Sequence, residues 1–198
     1  GGLTKSGSGT LALSGNNTYA GLTTVSGGTL RLSHANAVGS SSGVTLKGGS
    51  LVLDTGVNMT QLTLAAAGAV SGGTMNFASG GSILFDDPSG NRAATISSGI
   101  TGSPTYTATA GESMTLDSGT AATQTLGDVL LQCRVNGTAD LSFTLQGSTT
   151  DSSTGSITLT TGNNQQRATL YKRGTGTWTV GALNGAYNQR FMINLYDT

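Results

Sequence analysis

The chain has 198 residues, nine basic and nine acidic side chains, and a formal net charge of zero. That balance offers no basic stripe to neutralise phosphates, which excludes nucleic acid as an expected partner, and it gives no field to steer a charged partner. Glycine, threonine and serine dominate, with 32, 33 and 23 residues, yet Val, Ile, Leu and Phe recur throughout, so the composition reads as many short strands joined by tight turns rather than as a disordered chain.

Apolar residues alternate along the whole chain. The pairs are Leu11/Leu13, Leu30/Leu32, Val44/Leu46, Leu51/Leu53, Leu62/Leu64 and Met75/Phe77. They continue at Met114/Leu116, Leu141/Phe143/Leu145, Ile157/Leu159, Trp178/Val180 and Phe191/Ile193/Leu195. Period two buries one face of each strand. Residues 61–70 come nearest to a helical pattern, but Leu62-Thr63-Leu64 and Gly68 argue against a helix. Gly-Gly, then Ser or Thr, then an apolar residue, occurs at Gly27–Leu30, Gly48–Leu51, Gly72–Met75 and Gly80–Ile83. The first three copies are 21 and 24 residues apart, a plausible coil of a three-sided solenoid, and the fourth follows after about one side. Paired glycines suit corners, where positive φ and close backbone approach are needed.

This pattern predicts an all-β, parallel β-helix or β-solenoid of about nine coils, roughly 40 Å long at the strand spacing. Thr and Ser occupy outward positions, which explains so few charges. Residues 86–92 form the most polar turn, Pro104 marks another, and residues 147–155 form a loop projecting from the rod. Strands lengthen at Val129–Val135 and Leu141–Gln146. One solenoid over residues 1–198 is expected; the alternative is a solenoid over 1–100 followed by a β-sandwich or wider solenoid section over 101–198. No apolar run is long enough for a membrane-spanning helix. The start at Gly1-Gly2, without a signal peptide, fits a processed secreted protein or an excised fragment.

Candidate chemistry is sparse. Asp86-Asp87 is the only adjacent acidic pair, a weak candidate for calcium, but its Asp-Asp-Pro-Ser-Gly setting is that of a surface turn. His34 has no second histidine or cysteine nearby and reads as an exposed turn residue. Cys133 alternates with Leu131 and Val135, so it points inward as a small apolar residue. No nucleophile elbow or phosphate cradle is present. The expectation is no enzyme, no cofactor and no catalytic residue. Asn16-Asn17-Thr18, Asn58-Met59-Thr60 and Asn136-Gly137-Thr138 spell N-glycosylation acceptors, a pattern that a Thr-rich sequence makes by chance.

One phrase occurs twice. Residues 3–13 read Leu-Thr-Lys-Ser-Gly-Ser-Gly-Thr-Leu-Ala-Leu and residues 170–180 read Leu-Tyr-Lys-Arg-Gly-Thr-Gly-Thr-Trp-Thr-Val. Lys5 aligns with Lys172, Gly7 with Gly174, Gly9 with Gly176, and Leu11 with Trp178, so two related rungs are expected, with the lysine hydrogen-bonding a corner and Trp178 filling the core. Residues 3–32 resemble the autotransporter-associated β-strand repeat, found in passenger regions of bacterial autotransporters and other large surface proteins; the likeness is partial at 170–188. The resemblance implies a right-handed parallel β-helix outside the cell and carries no catalytic residues. The C-terminal membrane barrel of typical autotransporters is not expected within these 198 residues, whether cleaved away or left out.

With no cap visible at either end, the leading expectation is a secreted structural subunit that assembles head to tail into an extracellular filament, sheath or surface layer. The expected interface comprises Leu3, Leu11, Leu13 and Tyr19 at one end and Trp178, Tyr187, Phe191, Ile193, Leu195 and Tyr196 at the other. Alternatives are a stalk or adhesin fragment of an autotransporter-like passenger, and a viral fibre or capsid-decorating protein. Expected partners are copies of the chain itself and, beyond those, glycans or other cell-surface components.

Overall fold

The computed structural model describes residues 1–39, 43–85, 93–109, 113–117, 123–132, 141–147, 152–160, 167–185 and 190–196. Asp86, Asp87, Cys133, Tyr187 and the Asn136 acceptor lie outside these. The described residues contain strands and turns and no helix. The strands are β1 (Leu3–Lys5), β2 (Thr10–Leu13), β3 (Thr23–Val25), β4 (Thr29–Leu32), β5 (Val44–Leu46), β6 (Ser50–Leu64), β7 (Gly68–Phe85), β8 (Ala93–Ile96) and β9 (Gly99–Thr101). They continue with β10 (Thr105–Thr109), β11 (Ser113–Asp117), β12 (Val129–Gln132), β13 (Leu141–Gln146) and β14 (Ser152–Thr154). The last are β15 (Ile157–Thr160), β16 (Arg167–Arg173), β17 (Trp178–Val180), β18 (Leu183–Gly185) and β19 (Arg190–Tyr196).

Every pairing among these strands is parallel, and the registers define three sides. On the first side Leu3, Thr23, Val44, Leu62, Ile83, Tyr106, Val129, Ile157 and Leu183 stand one on another. On the second side the file is Leu11, Leu30, Leu51, Val70, Ile96, Leu116, Leu145, Lys172 and Leu195. The third side stacks Val57, Met75 and Ile100, passes through isolated bridges at Gln124 and Thr125, and ends with β14 on β17. Strands β6 and β7 are long because each bends through two corners and contributes to all three sides. The fold is the β-solenoid expected from the alternation.

About seven of the turns are full three-sided turns, fewer than the nine expected. Nine strands stand on each of the first two sides, but the first two coils cross the third side without strand among the described residues. There Asn17 and the turn around His34–Gly39 take the place of strand, with Ala37 N–H donating to the His34 carbonyl (3.0 Å) and Gly39 N–H to the Asn36 carbonyl (3.1 Å).

One apolar core fills the tube from Val25 to Leu170, with Leu11, Leu13, Trp178 and Val180 packed half-buried at its two ends. Burial of these aliphatic columns is the main stabilising term, since outward positions are Thr and Ser with little area to bury. Corners need backbone contact that a side chain would block. A Cβ on Gly28 would come within 2.3 Å of the Gly9 carbonyl oxygen, and φ there is +67°.

Candidate functional site

The repeated phrase builds the same corner twice, but on different edges of the tube. Gly7 and Gly174 take nearly equal positive φ values, 74° and 73°. The first copy turns from the first side to the second, whereas the second copy turns from the second side to the third. The two stretches are therefore related corners, not equivalent rungs. Each lysine stands in a file otherwise filled by apolar residues: Lys5 beneath Val25 and Leu46, Lys172 above Leu145. The alkyl stem continues the core and the ammonium escapes to the corner. Lys5 Nζ donates to the carbonyls of Ser6 (2.9 Å), Gly7 (2.8 Å) and Gly27 (3.0 Å). An ammonium has three protons, so this set saturates it, and Gly27 belongs to the next coil. Lys172 Nζ donates to the carbonyls of Arg173 and Gly174.

The expected interface residues fall at the two ends. Leu3, Leu11 and Leu13 are half-buried on the first coil, and the hydroxyl of half-buried Tyr19 is 2.8 Å from Thr23 Oγ1. At the far end Leu145, Leu170, Trp178, Val180, Leu183 and Ile193 line an open recess of about 460 Å³. Leu183, Met192 and Ile193 are 44, 42 and 43% exposed there. The backbone of Phe191, Leu195 and Tyr196 pairs with β16 in β19. Trp178 packs against the core, and its indole N–H donates to the Gln146 carbonyl at 3.4 Å. His34 is half-buried rather than exposed, because its Nδ1 accepts the Asn36 backbone N–H (3.0 Å) and so serves the turn itself.

A second surface escaped the sequence reading. Along the third side a groove of about 570 Å³ crosses the first coils. It presents Asn17, Asn36, Asn58 and Asn76, one per coil. Asn58 Nδ2 donates to Asn36 Oδ1 (2.9 Å), Asn17 Nδ2 donates to the Ala37 carbonyl (2.7 Å), and Thr101 Oγ1 lies 3.0 Å from Asn76 Oδ1. The available signal was asparagine recurring every 18 to 22 residues, the length of a coil. Farther along, the third side's interior turns polar: buried Gln124 donates from Nε2 to the carbonyls of Ile96 (3.0 Å) and Ser98 (2.9 Å). No helix among the described residues is long and apolar enough to cross a membrane.

The first coil and two sides of the second, with the Lys5 corner between them, correspond to a known repeat. Residues 3–32 match the passenger-associated-transport-repeat family. The match covers β1 to β4 and agrees with an autotransporter passenger repeat. The comparisons with curated proteins and with solved structures returned no match.

Proposed function

We propose that the chain is a stalk segment of a passenger-type protein displayed outside the bacterial cell, with a mechanical rather than a catalytic role. The observation that carries this reading is the parallel stack, which continues coil upon coil from a passenger repeat at residues 3–32 to β19. A stack of this kind lengthens by adding coils, each advancing ~4.8 Å, and needs no change to the coils already present. The direct neighbours of its end coils are further coils. The test is surface display: the chain is fused behind a secretion signal and an epitope tag, and ahead of an outer-membrane translocator barrel. The tag is expected on the cell surface, and external protease is expected to release a resistant solenoid. A folded solenoid whose tag stays in the periplasm would sink the reading.

A second reading is end-to-end self-assembly into a filament, sheath or surface layer. It is favoured by one observation, the apolar recess and exposed Leu183, Met192 and Ile193 on the last coil.

A further inference from the structure

We infer that the asparagine groove on the third side binds a neutral, linear glycan. The groove runs along the tube, not across its ends, so the inference is independent of whether the solenoid acts as a stalk or assembles.

Charge comes first. None of the lining residues carries an ionisable side chain, so nothing there balances a charged ligand. What the groove does offer is carboxamide and hydroxyl, groups that both donate and accept, as sugar hydroxyls do. The amides are only partly consumed by the fold. Asn17 Nδ2 and Asn36 Oδ1 are engaged by the Ala37 carbonyl and by Asn58. Among the described residues, Asn58 Oδ1, Asn76 Nδ2 and the hydroxyls of Thr18 and Thr60 have no protein hydrogen-bond partner and line the groove. Beneath them Met59 and Phe77, 4 and 6% exposed, give a small apolar floor for the C–H face of a sugar ring.

The repeat is the second consideration. Asn58 and Asn76 stand in register, and Asn17 and Asn36 precede them by one coil each. Successive amides are thus one strand spacing apart, ~4.8 Å. A ligand that meets equivalent groups at a fixed interval along an axis is a polymer with a short repeat. An extended peptide would dock by adding to an open sheet edge. Along this groove the backbone is already paired between coils, as in Asn17 N–H to the Asn36 carbonyl (3.2 Å) and Asn58 N–H to the Ala35 carbonyl (2.7 Å).

The experiment titrates the folded chain with gluco-, manno- and galacto-oligosaccharides, from disaccharide to hexasaccharide, and follows side-chain amide resonances by NMR. At least one series is expected to shift the Asn58 and Asn76 amides saturably. Affinity should rise with length and level off near about four sugars, one per asparagine-bearing coil. Thr60→Ala makes no change to a bond within the fold, and it should weaken binding about tenfold together with Asn58→Ala, or ~1.4 kcal/mol, with the backbone spectrum retained. The inference is overturned by any of three results: no shift with all three series, equal binding of oligogalacturonate, or full binding by the folded double variant.

Discussion

Lys5 is a single residue that ties two coils together. It is 8% exposed, and its ammonium is shared among three carbonyls, one of them on the next coil. A methionine there keeps the apolar stem and removes the staple. Hydrogen bonds to a charged group contribute about 1.5–3 kcal/mol, and carbonyls left near the surface recover part of that from water. Lys5→Met is therefore expected to cost about 1–3 kcal/mol, which in a chain of this size lowers the melting temperature by roughly 2–4 °C per kcal/mol. Lys172 is half-exposed and reaches two carbonyls of its own corner. Lys172→Met should consequently lose distinctly less than Lys5→Met. Equal losses in thermal unfolding, or none at Lys5, would show that the corner is held by its glycines alone.

At the scale of the element, period-two alternation gave the strands and their inward faces, because one buried face per strand leaves that trace whatever the tertiary context. Lys5 and Lys172 were legible as corner residues because the same lysine recurs just before Gly-x-Gly in both copies of the phrase. Coil length was less legible. Gly27-Gly28 and Gly48-Gly49 share one corner, whereas Gly72-Gly73 and Gly80-Gly81 lie within β7 at its two bends. A glycine pair marks a bend but not which bend, so its spacing mixes coils with sides. The asparagine groove was missed because its residues are outward and polar, and lone polar residues carry no periodic hydrophobic signal. Between elements, one exposed ion pair ties the second side's outer surface. Arg31 Nε lies 2.8 Å from Asp54 Oδ2, and Ser33 Oγ also donates to that carboxylate. The Arg31 and Ser33 hydrogen bonds hold the Asp54 carboxyl below its ordinary range, and the Asp54 bond raises Arg31 further above its own. A lowered folded-state value means stability that is present above the ordinary carboxylate pKa of about 3.9 and is lost as pH falls through the folded value. Arg31 stays charged throughout. The contribution is small and screened, because both groups face water. Urea midpoints of the native chain and Asp54→Asn should differ slightly at pH 6 and low salt. They should converge in strong acid and in high salt; a gap that persists below pH 3 would place the effect elsewhere.

For the whole molecule, the deciding question is what meets the last coil. The core is one continuous column, and a solenoid stabilises each coil through its neighbours, so a terminal coil has half the contacts of an inner one. β18 and β19 pair on one flank with β15 and β16, and among the described residues no strand pairs with the other. Leu183, Met192 and Ile193 are exposed beside that edge, over an open recess whose walls include Trp178 and Val180. Apolar surface next to unpaired backbone favours another coil in the same register. The first coil offers the complementary face in half-buried Leu3, Leu11 and Leu13. Such a contact is heterologous, so it propagates rather than closing. If copies of this chain supply it, light scattering should show mass rising with concentration, and Leu183→Lys with Ile193→Lys should hold the chain monomeric without loss of the solenoid's circular dichroism. A charge forced into a desolvated end contact is far more costly than one left at a free surface. Chains that stay monomeric with and without the lysines would leave the end coils to further coils of the same polypeptide, as the stalk requires. Growth that persists in the double lysine variant would place the contact on a side of the tube, and both the end-to-end assembly and its predicted residues would fall.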